Sequence, residues 1–332
     1  MTTAAQQAGP RPTISVALCT YNGERFLSQQ LASLAGQSCK PDELVVVDDG
    51  STDASLAILR DFADAAPFQV MLHSLQQNVG SRDAFSQCIA ACRGDLIFLC
   101  DQDDVWLPDK LERLSNALAS EPDAAFAFSD ALLVDDSLQP LPGSLWQRVG
   151  LRSKWQSAFC RGRGFELLLK RPLVTGATMA FRSHHRPLLL PIPQGWVHDA
   201  WISLLLSAVS RGLAVPRRLL KYRLHSDQQI GVEPRTWRER ARRAMSRTAD
   251  DYRTVALGAL AAAERLESFA GVGAPRIAAL RRKAKHFDRR AECVASGPRG
   301  WPSVAGELLR GNYHRFSLGF TSAGKDCLST FL

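Results

Sequence analysis

The chain has 332 residues, of which 45% are hydrophobic and 22% charged, a balance typical of folded globular proteins that argues against a disordered chain. The formal net charge is +8, and the eight cysteines are scattered without the paired spacing of a disulfide framework or a zinc site. No apolar run reaches the roughly twenty residues that cross a bilayer, and the first thirteen residues lack a secretory signal. We therefore expect a cytoplasmic protein.

Short apolar runs alternate with segments of helical spacing in the first part of the chain. The apolar runs that we interpret as strands lie at residues 14–19, 44–47, 68–73 and 96–100. Strands that alternate with helices through short loops form parallel sheets. The pattern therefore predicts an α/β fold with a mainly parallel sheet flanked by helices.

Three of these strands end in polar turns. The turns are Thr20-Tyr21-Asn22-Gly23, Asp48-Asp49-Gly50-Ser51-Thr52-Asp53 and Asp101-Gln102-Asp103-Asp104. In open α/β sheets, ligands bind outside the carboxyl ends of the strands. Three carboxylates within four positions repel one another, and a hard divalent cation such as Mg²⁺ or Mn²⁺ relieves that repulsion. We therefore predict a nucleotide and metal site at this edge, although an acidic turn that only caps the next helix has a similar pattern.

The pattern is less regular further along the chain. We predict a helix at 109–119, a strand at 124–129, an irregular substrate rim at 135–163, a strand at 173–181, a helix at 196–210 and strand structure at 213–224. After Pro234 the sequence is rich in Ala, Arg and Leu, which indicates two helices separated near 271–275. Residues 235–290 contain 15 Lys or Arg against 6 Asp or Glu, so the positive charge is concentrated there.

These observations predict three parts of the chain. A disordered lead-in covers residues 1–12, and the α/β domain covers 13–232, with a nucleotide half at 13–130 and an acceptor half at 131–232. A basic, mainly helical region follows at 233–332. Its arginines suit a reversible contact with the anionic inner leaflet of a membrane, or they form a solvated helix face. Because motifs and interleaved aromatics for nucleic acid are absent, we expect no nucleic-acid partner.

Further motifs accompany the strand-end turns in a recognisable order and spacing. They are Asn78-Val79-Gly80, Thr175-Gly176-Ala177-Thr178, Trp196-Val197-His198-Asp199-Ala200-Trp201 and Tyr222-Arg223-Leu224-His225. Over residues 13–231 the set resembles family 2 glycosyltransferases, which have the GT-A fold. The later motifs resemble the branch that includes bacterial rhamnosyltransferases of surface polysaccharide (O-antigen) synthesis.

The resemblance implies a nucleoside diphosphate sugar, with dTDP or UDP, as donor and a polysaccharide or lipid-linked glycan as acceptor. It implies nucleotide-binding roles for residues at the strand ends and in the helix predicted at 81–92: Thr20, Tyr21, Glu24, Asp49, Gly50, Arg82, Asp101 and Gln102. It also implies that Asp103, Asp104 and His225 bind Mg²⁺ or Mn²⁺. Either Asp101 with Asp103 or Asp103 with Asp104 forms the working acidic pair.

The implied general base is Asp199, which would take the proton of an acceptor hydroxyl and so allow inversion at the anomeric carbon. The family often has two acidic residues here, whereas this chain has His198-Asp199, which makes His198 a positioning group on the acceptor side. Trp196 and Trp201 are predicted to stack on a sugar, with core packing as the alternative.

Two other functions fit parts of the pattern. A nucleotidyltransferase shares the acidic strand end but usually carries a Gly-rich, basic loop after the first strand, where this chain has Thr20-Tyr21-Asn22-Gly23. A non-catalytic protein that binds nucleotide sugars or anionic membranes is the second alternative. Neither a Gly-x-Gly-x-x-Gly motif nor a P-loop motif occurs in the sequence, which argues against a dinucleotide or P-loop fold.

Overall fold

The computed structural model describes residues 11–225, 248–269 and 271–329. Residues 1–10 of the predicted lead-in and residues 233–247 of the predicted C-terminal region lie outside the described residues. Within the described part, nine strands form one sheet in the order β3-β2-β1-β4-β8-β6-β9-β5, with β7 paired to β6. The strands are β1 Ile14–Thr20, β2 Glu43–Asp48, β3 Gln69–Ser74, β4 Leu96–Asp101, β5 Val105–Trp106, β6 Ala124–Val134, β7 Pro140–Ser144, β8 Met179–Arg182 and β9 Arg211–Arg223.

Helices cover the sheet and continue to the end of the described chain. They are α1 Glu24–Ala35, α2 Ser55–Ala65, α3 Ser81–Ala91, α4 Lys110–Ser120, α5 Leu145–Val149, α6 Ser153–Cys160, α7 Gly164–Leu168, α8 Arg186–Leu189, α9 His198–Val209, α10 Ala249–Glu267, α11 Ala274–Ala295, α12 Trp301–Leu309, α13 Asn312–Phe316 and α14 Phe320–Ser329. None of the described helices has both the length and the apolarity to cross a bilayer.

The parallel core of the sheet follows the predicted pattern. Strand β1 pairs in parallel with both β2 and β4, and β2 pairs in parallel with β3. The side chains of β1 and β2 are buried on both faces, which explains why these strands are apolar along most of their length. Since β1, β2 and β4 run in the same direction, their carboxyl ends and the turns that follow them meet at one edge. The α/β prediction, with C-terminal helices, is confirmed.

Two local predictions are wrong. The segment 135–163, predicted to be irregular, contains β7, α5 and α6, because Ser144 and Gln147 form a capping box that starts α5 and Trp146 is buried. The predicted strand at 173–181 is a strand only from Met179, because residues 176–178 form a 3₁₀ turn. These short elements depend on contacts distant in sequence, such as the pairing of Leu132 with Ser144.

The C-terminal helices share an apolar cluster with the sheet. Helix α10 contributes Tyr252, Ala256 and Leu266 to the same buried cluster as Trp201 of α9. The Arg265 guanidinium donates to the carbonyl oxygens of Leu188, Leu190 and Pro191 at 2.9–3.0 Å. Part of the predicted basic surface is therefore used to attach α10 to the α/β part.

Candidate active site

A cleft of about 380 Å³ lies at the carboxyl ends of β1, β2 and β4, a volume within the usual range for small-molecule sites. The predicted site residues that line it are Thr20, Tyr21, Asp49, Asp101, Gln102, Asp103, His198, Asp199 and His225. The strand ends, the start of α9 and the end of β9 therefore contribute to one site. Their roles in binding and catalysis stay predictions.

Gln102 joins the turn after β1 to the turn after β4. Its Oε1 accepts from Thr20 Oγ1 at 2.6 Å and from the backbone N–H of Tyr21 at 2.9 Å, while its Nε2 donates to the Tyr21 carbonyl at 3.2 Å. A Cβ atom at Gly23 would lie 2.4 Å from Gln102 Oε1, so a larger residue there would displace the Gln102 amide. The amide of Gln102 therefore fixes the wall of the cleft on which the nucleotide is predicted to lie.

Asp49 holds the loop that precedes α3. Its two carboxylate oxygens accept from the backbone N–H groups of Val79 at 2.7 Å and Gly80 at 2.9 Å. Gly50 has φ +76°, and a Cβ there would approach the Gln77 backbone to 2.9 Å. Asp49 thus places α3, whose Phe85 lines the cleft.

The acidic turn after β4 has an unfavourable charge balance. Burial, together with the nearby charges of Asp103 and Asp199, raises the pKa of Asp101 to about 7. Burial also raises the pKa of Asp104, whose Oδ1 accepts from the Arg223 backbone N–H at 3.1 Å. Asp104 Oδ2 is enclosed and has no hydrogen-bond partner among the described residues. A bound cation would lower the free energy of this turn.

The donor atoms present fit a cation that is shared with a substrate. Asp103 Oδ2 lies 2.8 Å from His225 Nε2, and Asp101 and Asp103 both line the cleft. Within 11–225, 248–269 and 271–329, no three His, Cys, Asp or Glu side chains are grouped to hold a metal ion on their own. Mg²⁺ is commonly bound by one or two carboxylates together with substrate phosphates, so the small protein ligand set suits it. Asp104 does not line the cleft, which favours Asp101 with Asp103 as the working pair.

Asp199 and His198 face the cleft from the start of α9. Asp199 Oδ2 accepts from the Gly176 backbone N–H at 3.2 Å. The His198 ring stacks on Phe85 with 3.9 Å between ring centroids, and neither ring nitrogen has a partner in the described chain. Burial lowers the pKa of His198, so its imidazole is neutral near pH 7. A Cβ at Gly176 would lie 2.8 Å from His198 Nε2, so a larger residue there would force the ring to shift.

Several predicted site residues do not line the cleft. Glu24 Oε2 accepts from the Ala54 backbone N–H at 2.9 Å, and the Arg82 guanidinium pairs with the Asp83 carboxylate. Gly50 packs closely against the Gln77 backbone. The Trp196 indole donates to the Gly258 carbonyl of α10 at 3.0 Å. The prediction that Trp201 stacks on a sugar is wrong, because its side chain is fully buried and its indole N–H donates to the Leu189 carbonyl at 2.8 Å.

Two buried basic side chains, Lys110 and Arg223, support the acidic turn from below. The sequence did not predict this structural role for either of them. Lys110 is fully buried, its Nζ donates to the Ala177 carbonyl at 2.5 Å and lies 3.3 Å from the Trp106 ring centroid, and burial lowers its pKa to about 7. Arg223 donates to the Asp103 carbonyl at 2.7 Å and to Gln29 Oε1 at 2.6 Å. A lysine at a helix start normally suggests an exposed side chain, so only the three-dimensional packing identifies Lys110.

Two proteins of similar sequence are named as glycosyltransferases. An uncharacterized glycosyltransferase of Nostoc sp. is 39% identical over 101 residues, which is 30% of this chain and 31% of that protein, so the chain spans about a third of that relative. An uncharacterized glycosyltransferase of Haemophilus influenzae is 24% identical over 229 residues, 67% of this chain and 68% of that protein.

Solved structures show the same fold. A crystal structure of S. aureus TarS 1-349 in complex with UDP-GlcNAc has a TM-score of 0.55 at 16% identity, covering 96% of this chain and 89% of that one. The mannosyltransferase PcManGT from Pyrobaculum calidifontis, in complex with GDP-Man and Mn²⁺, has a TM-score of 0.53 at 17% identity, covering 97% and 87%. The family model "Glycosyl transferase family 2" matches residues 15–183, just over half of the chain. The chain therefore belongs to glycosyl transferase family 2.

Proposed function

We propose that this protein is an inverting glycosyltransferase that moves a sugar, rhamnose or a similar hexose, from a dTDP or UDP donor to a polysaccharide or lipid-linked glycan. The observation that carries the proposal is that Asp49, Asp103 and Asp199, from three different parts of the chain, line one cleft. The solved relatives with UDP-GlcNAc and with GDP-Man and Mn²⁺ support a nucleotide-sugar donor. The rhamnose assignment is supported by the resemblance of the later motifs.

The donor is proposed to lie along the strand ends. Thr20, Tyr21 and Asp49 would contact the base and ribose, and Asp101 would contact the ribose near the diphosphate. Asp103 and His225 would hold a divalent cation there, and a bound cation offsets negative charge on the diphosphate leaving group. Because Arg223 and Gln102 anchor the backbone of this turn, the carboxylates are positioned before the donor binds.

Asp199 is the proposed general base. Its carboxylate would take the proton of an acceptor hydroxyl while that oxygen forms a bond to the anomeric carbon and the bond from this carbon to the diphosphate oxygen breaks. The Gly176 N–H fixes Oδ2 at 3.2 Å, and Oδ1 accepts no hydrogen bond from the described residues. One carboxylate oxygen is therefore held in place and the other can accept the proton.

His198 is proposed to orient the acceptor. Its neutral ring is held against Phe85, and its nitrogens are enclosed without a protein partner among the described residues, which is costly unless a ligand group supplies the hydrogen bond. An acceptor hydroxyl next to Asp199 meets that need. A cytoplasmic location, where nucleotide sugars are made, and contact with the inner leaflet, where lipid-linked glycans lie, belong to the same proposal.

A screen of nucleotide sugars for hydrolysis, with and without Mn²⁺, tests this function. We expect metal-dependent release of UDP or dTDP from one donor, and transfer product with inverted anomeric configuration by NMR. Asp199→Asn should lose transfer, whereas Asp61→Asn, an exposed carboxylate on α2, should behave as the wild type. Release of pyrophosphate from a nucleoside triphosphate and a sugar phosphate would instead support a nucleotidyltransferase.

A further inference from the structure

A second cavity, of about 220 Å³, lies between the α6–α7 segment and the turn that joins α13 to α14. It shares no lining residue with the proposed active site. Its walls include the Trp155 indole, the side chains of Lys170 and Arg171, and the turn residues Ser317 and Leu318.

The positive charges of this cavity are not balanced by carboxylates within the described part of the chain. Neither Lys170 nor Arg171 forms an ion pair within the described residues. The Arg171 guanidinium donates to the Val149 carbonyl, and both burial and the nearby charge of Arg152 lower its pKa. Two cations beside a concave surface without a carboxylate form a site for an anion.

The rim of the same cavity is apolar and exposed. Leu318 is 54% exposed, and Phe320, whose ring lies edge-on to His314 at 4.8 Å, is 73% exposed. Among the described residues, the exposed large hydrophobic side chains are concentrated in the C-terminal helices: Leu257, Leu260, Trp301, Leu309, Leu318, Phe320 and Leu328, with Val79 elsewhere. An anion site bordered by exposed apolar side chains matches a molecule with a charged head and an apolar tail.

The arginines of α10 and α11 are a weaker candidate for such contact. Arg265 and Arg276 donate to backbone carbonyls of the α/β part, and Arg281 pairs with Glu267. Arg289 pairs with Glu307, which is buried. Lys170 and Arg171, in contrast, line a concave surface beside the exposed Leu318, so this cavity offers the better-supported contact.

We propose that this cavity binds the phosphate of an anionic phospholipid, with Leu318 and Phe320 entering the boundary between head groups and acyl chains. The contact is peripheral. It places the helical C-terminal part, rather than the cleft edge of the sheet, against the membrane. The proposal does not depend on sugar transfer, and binding to vesicles tests it without any donor.

The test is flotation of the full chain with phosphatidylglycerol vesicles and with phosphatidylcholine vesicles. We expect recovery with the anionic vesicles and loss of that recovery in Leu318→Ser/Phe320→Ser. Leu257→Ser removes a leucine of comparable exposure from α10, away from the cavity, and should float as the wild type. Wild-type recovery of the double variant, or equal loss in Leu257→Ser, would overturn the proposed location. Phe320→Ser alone serves if the double variant does not fold.

Lys170→Gln tests the anion site itself. A basic residue near an anionic surface contributes about 1 kcal/mol, so we expect roughly five-fold weaker partitioning to phosphatidylglycerol. Equal partitioning of the wild type to the two vesicle types would overturn the phosphate contact. Inorganic phosphate tests for a soluble ligand instead of a lipid. The site binds free phosphate if phosphate stabilises the wild type against thermal unfolding but does not stabilise Lys170→Gln. If, in addition, neither protein floats with the vesicles, the lipid proposal is wrong.

Discussion

Two regions of this protein enclose charged side chains in opposite ways. In the C-terminal helices, Asp326 accepts from Tyr252 and Tyr313 hydroxyls at 2.7 and 2.6 Å and from the Arg290 guanidinium at 2.6 and 2.8 Å. In the cleft, the carboxylate of Asp101 accepts no hydrogen bond from the described residues, and burial with neighbouring carboxylates raises its pKa to about 7. A buried charge with all its partners stabilises a fold, whereas one without partners indicates a site for a ligand.

The largest expected effect is on catalysis. Asp199→Asn keeps the size of the side chain and an oxygen for the Gly176 N–H, but it cannot take a proton. We expect kcat for transfer to fall by about 10²–10⁴-fold, the usual contribution of a general base. Steady-state kinetics measure this, and unchanged thermal unfolding shows that the variant is folded. Transfer at the wild-type rate would exclude Asp199 as the base.

Breaking the hydrogen-bonded network around Asp326 in the C-terminal helices should lower the free energy of unfolding. Asp326→Asn leaves the Arg290 charge buried without its counter-ion, and breaking such a pair costs about 3–5 kcal/mol of unfolding free energy. Urea denaturation measures the loss. Asp288→Asn, an exposed carboxylate on α11, is the matched control and should unfold as the wild type. If both variants have wild-type stability, the network does not stabilise the fold as described.

Removing a carboxylate from the cleft should stabilise the protein, the opposite of the effect at Asp326. The folded-state pKa of Asp101, about 7, exceeds the ordinary value of 3.8, so its stabilising contribution is present below pH 4 and is lost as the pH rises to 7. We expect Asp101→Asn to raise the unfolding temperature of the metal-free protein at pH 8 and to change it less at pH 5. Thermal unfolding over this pH range measures the difference, and a destabilised variant at pH 8 would contradict it.

Much of this contrast could be predicted from sequence. The buried parallel strands are mainly apolar in sequence, and the rule that their carboxyl ends share an edge is enough to group Asp49, Asp101 and Asp103 at one site. The sequence could not predict which charged side chains have hydrogen-bond or ion-pair partners in the fold. An arginine-rich helix looks the same in sequence whether its guanidinium groups meet a membrane surface or water, the two predictions for this region, or meet carbonyls, as Arg265 does.

The missed features have a common cause. Ser144 and Gln147 start a short helix through a capping box, and Lys110 is buried beneath the acidic turn, because of neighbours far away in the chain. Trp201 belongs to the core, which was the alternative to sugar stacking, and its position beside His198-Asp199 could not decide between the two. The boundaries of the domains at 13–232 and 233–332 stay predictions, since the two parts share one apolar cluster.

The smallest effect concerns His198. His198→Gln retains a hydrogen-bonding group, whereas His198→Ala removes it. With a hydrogen bond contributing about 1 kcal/mol, we expect the acceptor KM to rise by roughly five-fold in His198→Ala and less in His198→Gln. Donor hydrolysis should be little changed in both. A larger effect on donor hydrolysis than on the acceptor KM would place His198 on the donor side.

Thermal unfolding with UDP or dTDP, each with and without Mn²⁺, tests most directly whether the strand-end acids bind a cation-bound diphosphate. We predict that the wild type is stabilised most when nucleotide and Mn²⁺ are both present, and that Asp103→Asn loses this joint effect. Two results would contradict the proposed site. One is that the nucleotide stabilises the wild type and Asp103→Asn equally, with or without Mn²⁺. The other is that no nucleotide changes the unfolding temperature.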